Sequence, residues 1–135
     1  MKGNSFVESA VKEGENLQRV PNMLEVNRFF DANDPSEINF EEVVASLPKS
    51  VREMLTSGFE MKKFAKIFED EGMMETCETF LKCGMNVSET SRELYMHRNT
   101  LIYRLKNIKR QTGLDLSNFS QAVTFKLLHY LYILK

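Results

Sequence analysis

The chain has 135 residues, of which 42% are hydrophobic and 27% are charged, an ordinary composition for a globular protein. This length suits one domain, or one small domain with an extension. No apolar run approaches the roughly 20 residues of a membrane span, and the N-terminal residues lack the apolar stretch of a signal peptide, so the sequence predicts a cytoplasmic protein.

Charge and cysteine content narrow the function classes further. Residues 1–73 carry 9 Lys and Arg against 14 Asp and Glu, whereas residues 74–135 carry 9 against 5. This asymmetry indicates that only the basic back half would meet a polyanion.

Cys77 and Cys83 match no zinc-binding spacing, so we expect structural or unreactive thiols and neither a metal nor a cofactor.

In chain order, the sequence predicts an almost entirely helical protein. Residues 1–20 form an arm for which both an ordered and a loose state remain open. Short helices are predicted in residues 22–34 and 39–46, separated by Asp34-Pro35. A further helix is predicted in residues 47–58, with Pro48 in its first turn.

Two helices are predicted ahead of the basic segment. In residues 59–71, apolar side chains recur at helical spacing, and Gly72 is expected to end the helix. Residues 74–84 form the next helix, with Gly84 as its C-terminal stop. The predicted inward-facing side chains of these two helices are Phe59, the stem of Lys63, Phe64, Ile67, Phe68, Cys77, Phe80 and Leu81.

The segment from Asn86 onward predicts two helices joined by a tight turn. Asn86 is expected to cap the first helix, with Glu89 reaching back to it as in a capping box. Val87, Ser91 and Leu94 are its predicted inner stripe, and Ser91 is the small residue that a helix-turn-helix needs between its helices. Met96 can fill the space beneath the turn.

The second helix of this pair is basic and is predicted to run from about residue 98 to Gly113. Its side chains divide into an apolar side, suited to docking on the domain, and a polar side that remains free to enter a groove. The apolar side comprises Leu101, Leu105, Ile108 and Thr112, and the polar side comprises Asn99, Tyr103, Lys106 and Arg110.

These residue types suit the chemistry of DNA. Arg can bond guanine, Asn can bond adenine, and Thr can approach a thymine methyl group. Lys and Arg farther along the helix can reach phosphates, as can the free N–H groups at the start of the first helix. We therefore predict DNA contacts from Asn86, Ser88, Thr90, His97, Arg98, Asn99, Thr100, Tyr103, Arg104, Lys106, Lys109 and Arg110.

Each of these features also has an ordinary structural interpretation. A basic helix face is more often simply solvated, and a histidine such as His97 is more often a cap than a catalytic base. Tyr95 and Tyr103 are more often partly buried packing residues than base contacts. The tandem spacing, the small Ser91 and the polar side of the second helix together favour DNA binding.

The last predicted helix, in residues 119–135, bears on whether a second copy of the chain is bound. Asn118 with Gln121 repeats the capping pattern ahead of a segment that is apolar in nearly every direction. A helix apolar all round must be covered on all sides, and a two-fold interface would do so. A homodimer is therefore predicted, against the alternative of a monomer whose front half wraps this helix.

The segment NVSETSRELYMHRNTLIYRLKNIKRQTGLDL, residues 86–116, resembles the C-terminal helix-turn-helix of the PucR-type transcriptional regulators, the purine-catabolism and sugar-diacid (CdaR-like) group. HRNT, YRL and TGLDL occur in that family's order, and ETCETFL upstream is similar to its leading helix. NTLIYRLKN is also distantly similar to Fis-like helices.

This resemblance covers residues 74–134 and implies a dimeric, sequence-specific DNA-binding module. It places His97, Arg98, Asn99 and Thr100 at the start of the recognition helix. Ser91 stands where the family usually has Ala. The seventy or so preceding residues are far fewer than the long sensory domains of larger members, so a full effector-sensing domain is not expected.

The sequence thus predicts an all-α protein with a helix-turn-helix three-helix core, extra N-terminal helices and an apolar C-terminal helix. Residues 1–72 are predicted to be a helical extension for dimerisation or partner binding, and residues 73–135 the DNA-binding domain. We expect a regulator that binds double-stranded DNA; the alternative is a helical protein-interaction module that keeps the fold but binds DNA weakly. No arrangement of catalytic residues stands out, so an enzyme is not expected.

Overall fold

The computed structural model describes Asn22, residues 27–34 and residues 36–134. In this part of the chain the helices are α1 (Phe40–Ala45), α2 (Lys49–Ser57), α3 (Met61–Phe68), α4 (Glu71–Lys82), α5 (Val87–Glu93), α6 (Arg98–Thr112) and α7 (Phe119–Leu134). The described residues form no strand beyond an isolated antiparallel bridge between Phe30 and Ile38. The predicted all-α fold class is confirmed.

Asparagine and aspartate side chains begin four of these helices. Asn39, Asp70, Asn86 and Asn118 each accept a hydrogen bond from the backbone N–H three residues ahead, at 2.8–3.2 Å. Such side chains satisfy N–H groups that have no partner within the helix. The caps predicted at Asn86 and Asn118 are therefore confirmed.

The return bonds of the two predicted capping boxes do not form. The backbone N–H of Asn86 donates to the carbonyl of Cys83 at 3.3 Å, so it does not bond the Glu89 side chain. Gln121 Oε1 accepts from the backbone N–H of Asp115 at 2.8 Å and thereby ties the loop before α7 to that helix. The capping-box part of the prediction is wrong because a preceding turn takes the first N–H.

The predicted helix in residues 59–71 is shorter than expected. It ends at Phe68, and Asp70 then starts α4 by accepting from Met73 N–H at 3.1 Å. Gly72 therefore lies in the first turn of α4 and does not end the preceding helix. Residues 28–34, also predicted helical, form turns and the Phe30 bridge, while residues 1–21, 23–26 and Pro35 lie outside the described residues.

One apolar core joins helices on both sides of residue 72. Helix α3 packs on α4 and α6, while α1 and α2 pack on α7. The rings of Phe68 in α3 and Phe125 in α7 are 5.3 Å apart. Residues of the predicted extension and of the predicted DNA-binding domain thus share this core, whose buried members are Val44, Phe64, Ile67, Phe68, Met74, Cys77, Phe80, Ile108, Leu116, Phe125, Leu128 and Leu131.

Helix α7 is covered on one side and exposed on the other. Ala122, Phe125, Leu128 and Leu131 recur at three-residue spacing and are buried. On the other side, exposed apolar side chains lie near the two ends of the helix, Phe119 (70% exposed) and Val123 at the start and Ile133 (52%) at the end. Between them, Lys126 Nζ lies 5.3 Å from the ring centroid of Phe40 in α1, and the rings of Tyr130 and Phe40 are 5.5 Å apart. The front helices α1 and α2 therefore do not wrap α7 completely.

No helix among the described residues is long and apolar enough to cross a membrane.

Both cysteines are free thiols. Burial, with a smaller contribution from the charge of Glu78, raises the pKa of Cys77 to about 12. Because the thiolate is the reactive form, this thiol is inert at neutral pH, in agreement with the structural role expected for it.

Candidate nucleic-acid interface

Helices α5 and α6 are joined by a compact turn of residues 94–97. Met96 N–H donates to the Ser91 carbonyl at 2.9 Å, and Tyr95 N–H donates to the Arg92 carbonyl at 3.2 Å. This pair of bonds is the Schellman closure of a helix, and it requires a left-handed residue, here Tyr95 at φ 51°. The closure holds the two helices at the short separation that a helix-turn-helix needs.

The contact between α5 and α6 is made by small or apolar side chains. Ser91 is half-buried, and its hydroxyl donates to the Ser88 carbonyl at 2.9 Å, which satisfies the polar atom within α5. Leu101 of α6 is fully buried. The role predicted for Ser91, a small residue where the helices meet, fits this arrangement.

Thr90 was predicted to bind a phosphate, and the structure contradicts this. Its side chain is fully buried, and both its hydroxyl and its backbone N–H donate to the Asn86 carbonyl, at 2.6 and 3.0 Å. Thr90 follows Val87 by three residues and precedes Leu94 by four, so it lies on the inward side of α5. It is a core residue of the motif.

Helix α6 has the two sides that its sequence predicted. Leu101 and Ile108 are fully buried, and Leu105 and Thr112 are half-buried. On the opposite side the side chains are exposed, namely Asn99, Tyr103 (64% exposed), Lys106 and Arg110. Docking α6 on its own domain therefore leaves a polar and basic side turned to solvent.

The first turn of α6 is organised by two hydrogen bonds. His97 is its N-cap, and His97 Nδ1 accepts from Asn99 N–H at 3.0 Å, so the proton of the neutral ring lies on Nε2. Arg98 Nη1 donates to the Ser88 hydroxyl at 3.0 Å. The second bond brings the start of α6 against the start of α5, where Asn86 is also exposed.

Arg104 was predicted to contact DNA, but it faces the domain interior. It lies three residues after Leu101 and is half-buried. Its Nη1 donates at 3.0 Å to the hydroxyl of Thr76, a buried residue of α4. Thr76 in turn donates to the Gly72 carbonyl at 2.9 Å. Arg104 ties α6 to α4, and we remove it from the candidate interface.

The three basic residues late in α6 differ in their surroundings. Lys109 Nζ lies 3.7 Å from Asp115 Oδ2 and forms an ion pair with it. Arg110 donates to the side-chain carbonyl of Asn107. Lys106 is exposed and has no ion pair among the residues that the structure describes. Since exposed ion pairs contribute little stability, Lys109 can exchange Asp115 for another anion.

The two tyrosines near the motif are more exposed than expected. Partial burial was the commoner role for both, but Tyr103 is 64% exposed and Tyr95 is 97% exposed. Tyr95 is not among the DNA contacts that the sequence predicts. No pattern in the sequence distinguished an exposed Tyr95 from a packed one.

The comparisons with known proteins concern this same part of the chain. Residues 73–129 match the family model of the PucR C-terminal helix-turn-helix domain. The chain is 34% identical over 59 residues to the purine catabolism regulatory protein of Bacillus subtilis (strain 168), a match that covers 44% of this chain and 11% of that protein. No solved structure gives a significant match.

Two further relatives are regulators by name. The DNA-binding transcriptional activator AdeR of Bacillus subtilis (strain 168) is 44% identical over 55 residues, which are 41% of this chain and 13% of AdeR. The carbohydrate diacid regulator of Escherichia coli (strain K12) is 40% identical over 59 residues, 43% of this chain and 15% of that protein. The chain thus spans only a small part of the length of these relatives.

Proposed function

We propose that this chain is a sequence-specific transcriptional regulator that inserts α6 into the major groove of DNA, because residues 73–129 match the family model of the PucR C-terminal helix-turn-helix domain. The observation that carries the proposal is that α6 has two chemically different sides. Its apolar side is buried by the domain, and its polar, basic side, with Asn99, Tyr103 and Lys106, has no role in the core. A regulator of this kind acts in the cytoplasm.

The first turn of α6 is proposed to read base edges. Asn99 is exposed there and can bond adenine in a bidentate manner, and the neighbouring Thr100 is exposed as well. Arg98 can bond guanine once its guanidinium leaves the Ser88 hydroxyl. That exchange is inexpensive because the hydrogen bond is exposed to water.

Phosphate contacts are proposed on both sides of this turn. Lys106, Lys109 and Arg110 follow the reading turn along the exposed side of α6 and supply positive charge. Asn86 and Ser88 supply polar side chains from the start of α5, and the Nε2–H of His97 supplies a donor beside them. Such contacts fix the register of a protein on DNA without reading its sequence.

Selection of bound duplexes from a random pool, followed by binding measurements on the selected duplex, tests this function. Wild-type protein should prefer the selected duplex, and its affinity should fall steeply with salt as counterions are released. Asn99→Ala should cost about 1–3 kcal/mol and relax preference at particular base pairs. A weak, sequence-independent interaction with a shallow salt slope would refute the proposal.

The homodimer also belongs to this proposal. The exposed apolar side chains of α7, Phe119, Val123 and Ile133, are surface that a two-fold interface would bury. Two recognition helices about 34 Å apart could then read two half-sites on one face of DNA. Light scattering should give twice the 15.7 kDa mass of one chain, and Ile133→Glu should halve it. A wild-type mass of one chain, with and without DNA, would refute the dimer.

A helical protein-interaction module is the second candidate, and one feature favours it. An open groove of about 790 Å³ lies between α4, α7 and residues 37–40, with Phe40, Leu81 and Phe119 among its lining residues. This candidate predicts the same fold without sequence preference for DNA. The selection experiment above separates the two functions directly.

A further inference from the structure

Tyr95 occupies a backbone conformation that glycine normally fills. Its φ is 51°, in the left-handed region that side chains with a Cβ disfavour. The same protein closes α4 with Gly84 at φ 67° and α6 with Gly113 at φ 81°. At the end of α5, the equivalent position carries the bulky Tyr95.

The usual compensation for such a conformation is absent at Tyr95. Met85, also a non-glycine residue with positive φ (64°), packs its side chain against the core. Tyr95 is 97% exposed, and among the described residues its side chain has no hydrogen bond or ring contact. Within the part of the chain that the structure describes, the ring therefore makes no contact that would offset the backbone strain, which points to a role in binding another molecule.

The position of Tyr95 is next to the proposed reading end of α6. It precedes the His97 cap by two residues and Arg98 by three, so the Cα atoms of Tyr95 and Arg98 lie within about 11 Å of each other. Arg98 also contacts Ser88, at the start of α5. An exposed phenol thus stands beside the place where both helices would approach the DNA backbone.

We propose that Tyr95 is a DNA-positioning residue whose phenol hydroxyl donates a hydrogen bond to a backbone phosphate beside the groove that α6 enters. This inference rests on the proposed function, and it adds a residue that the sequence did not indicate. Tyr95 lies outside α6 and before its cap, which places it at the border of the groove, where phosphates line the duplex. Tyrosine is among the side chains that donate to phosphate oxygens.

Three substitutions test the contact. Tyr95→Phe removes only the hydroxyl and should weaken binding to the selected duplex about tenfold, as expected for a bond to a charged acceptor. The loss should be equal on unrelated duplexes, because a phosphate contact carries no base preference. The salt slope should stay at the wild-type value, since a neutral donor displaces no counterion.

Tyr95→Gly and Tyr95→Asn separate binding from folding. Both residues tolerate the left-handed conformation, so their Tm should equal or exceed that of the wild type. Their affinity should nevertheless fall at least as far as that of Tyr95→Phe. Tyr130→Phe, the same hydroxyl deletion on α7, is the matched control and should bind DNA as the wild type does.

The outcomes distinguish this contact from the proposed function. If wild-type protein binds its selected duplex and the three variants bind equally well, the Tyr95 contact is refuted and the function stands. A loss confined to particular base pairs would also refute it, because Tyr95 would then read a base. If wild-type protein shows no specific DNA binding, the proposed function fails and the Tyr95 contact fails with it.

Discussion

Replacing Leu101 with Ala tests the orientation assigned to α6, on which the whole interface depends. Leu101 is fully buried where α6 meets α5. Truncation to Ala removes roughly three methylene-sized groups, each worth about 0.8 kcal/mol of burial. The cavity left behind adds to this, so the expected loss is about 3–4 kcal/mol of unfolding free energy. For a chain of 135 residues, such a loss lowers Tm by about 10–14 °C.

Urea unfolding followed by circular dichroism measures the loss, and Tyr103→Ala on the exposed side of the same helix is the control. Because Tyr103 is 64% exposed, its truncation should change stability by no more than about 0.5 kcal/mol while weakening DNA binding. Leu101→Ala should thus lose stability, whereas Tyr103→Ala should keep its stability and lose DNA affinity. Near-wild-type stability of Leu101→Ala would mean that the sides of α6 are assigned wrongly, and the DNA face with them.

Three further predictions concern caps, charge and pH. Asn86→Ala should cost about 1 kcal/mol of unfolding free energy, because Glu89 N–H loses its 2.8 Å acceptor; an unchanged Tm would show that water replaces the cap. Lys106→Gln should lower the salt slope of DNA binding by about 0.9, whereas the control Lys126→Gln on α7 should leave it unchanged. If Lys106→Gln has the same slope as the wild type, Lys106 faces solvent and does not contact phosphate. Burial, opposed weakly by the charge of Glu78, lowers the pKa of His129 from 6.5. As the pH falls, His129 is therefore protonated at a higher pH in the unfolded chain than in the folded protein. The stability that depends on neutral His129 should be complete above pH 6.5 and decline below it. His129→Asn should flatten that decline, and an identical pH profile in this variant would contradict the assignment.

Features that depend on near neighbours in the chain were predictable. The caps at Asn86 and Asn118, the stop at Gly84 and the two sides of α6 each follow from residues within one or two helical turns. Their hydrogen bonds join groups three or four residues apart, so the pattern in the sequence contains all the participants.

The wrong predictions concern residues for which a buried and an exposed side chain fit the same local sequence pattern. Thr90 and Ser88 are both hydroxyl residues at the start of α5, and only the tertiary structure shows that Thr90 is fully buried. Arg104 resembles the other basic residues of α6, but Thr76, twenty-eight positions earlier, holds its guanidinium. For Tyr95, packing and exposure were both open, and no element among the described residues covers it.

The sequence by itself determined the all-α class, the helix-turn-helix and the polar side of α6, because helix periodicity and capping act over a few residues. Only the tertiary structure decided how the front helices are used. It placed α3 in the same core as α4 and α7, and it left Phe119, Val123 and Ile133 exposed on α7. Those outcomes depend on the volume and shape of distant side chains meeting in space, which the order of residues does not display.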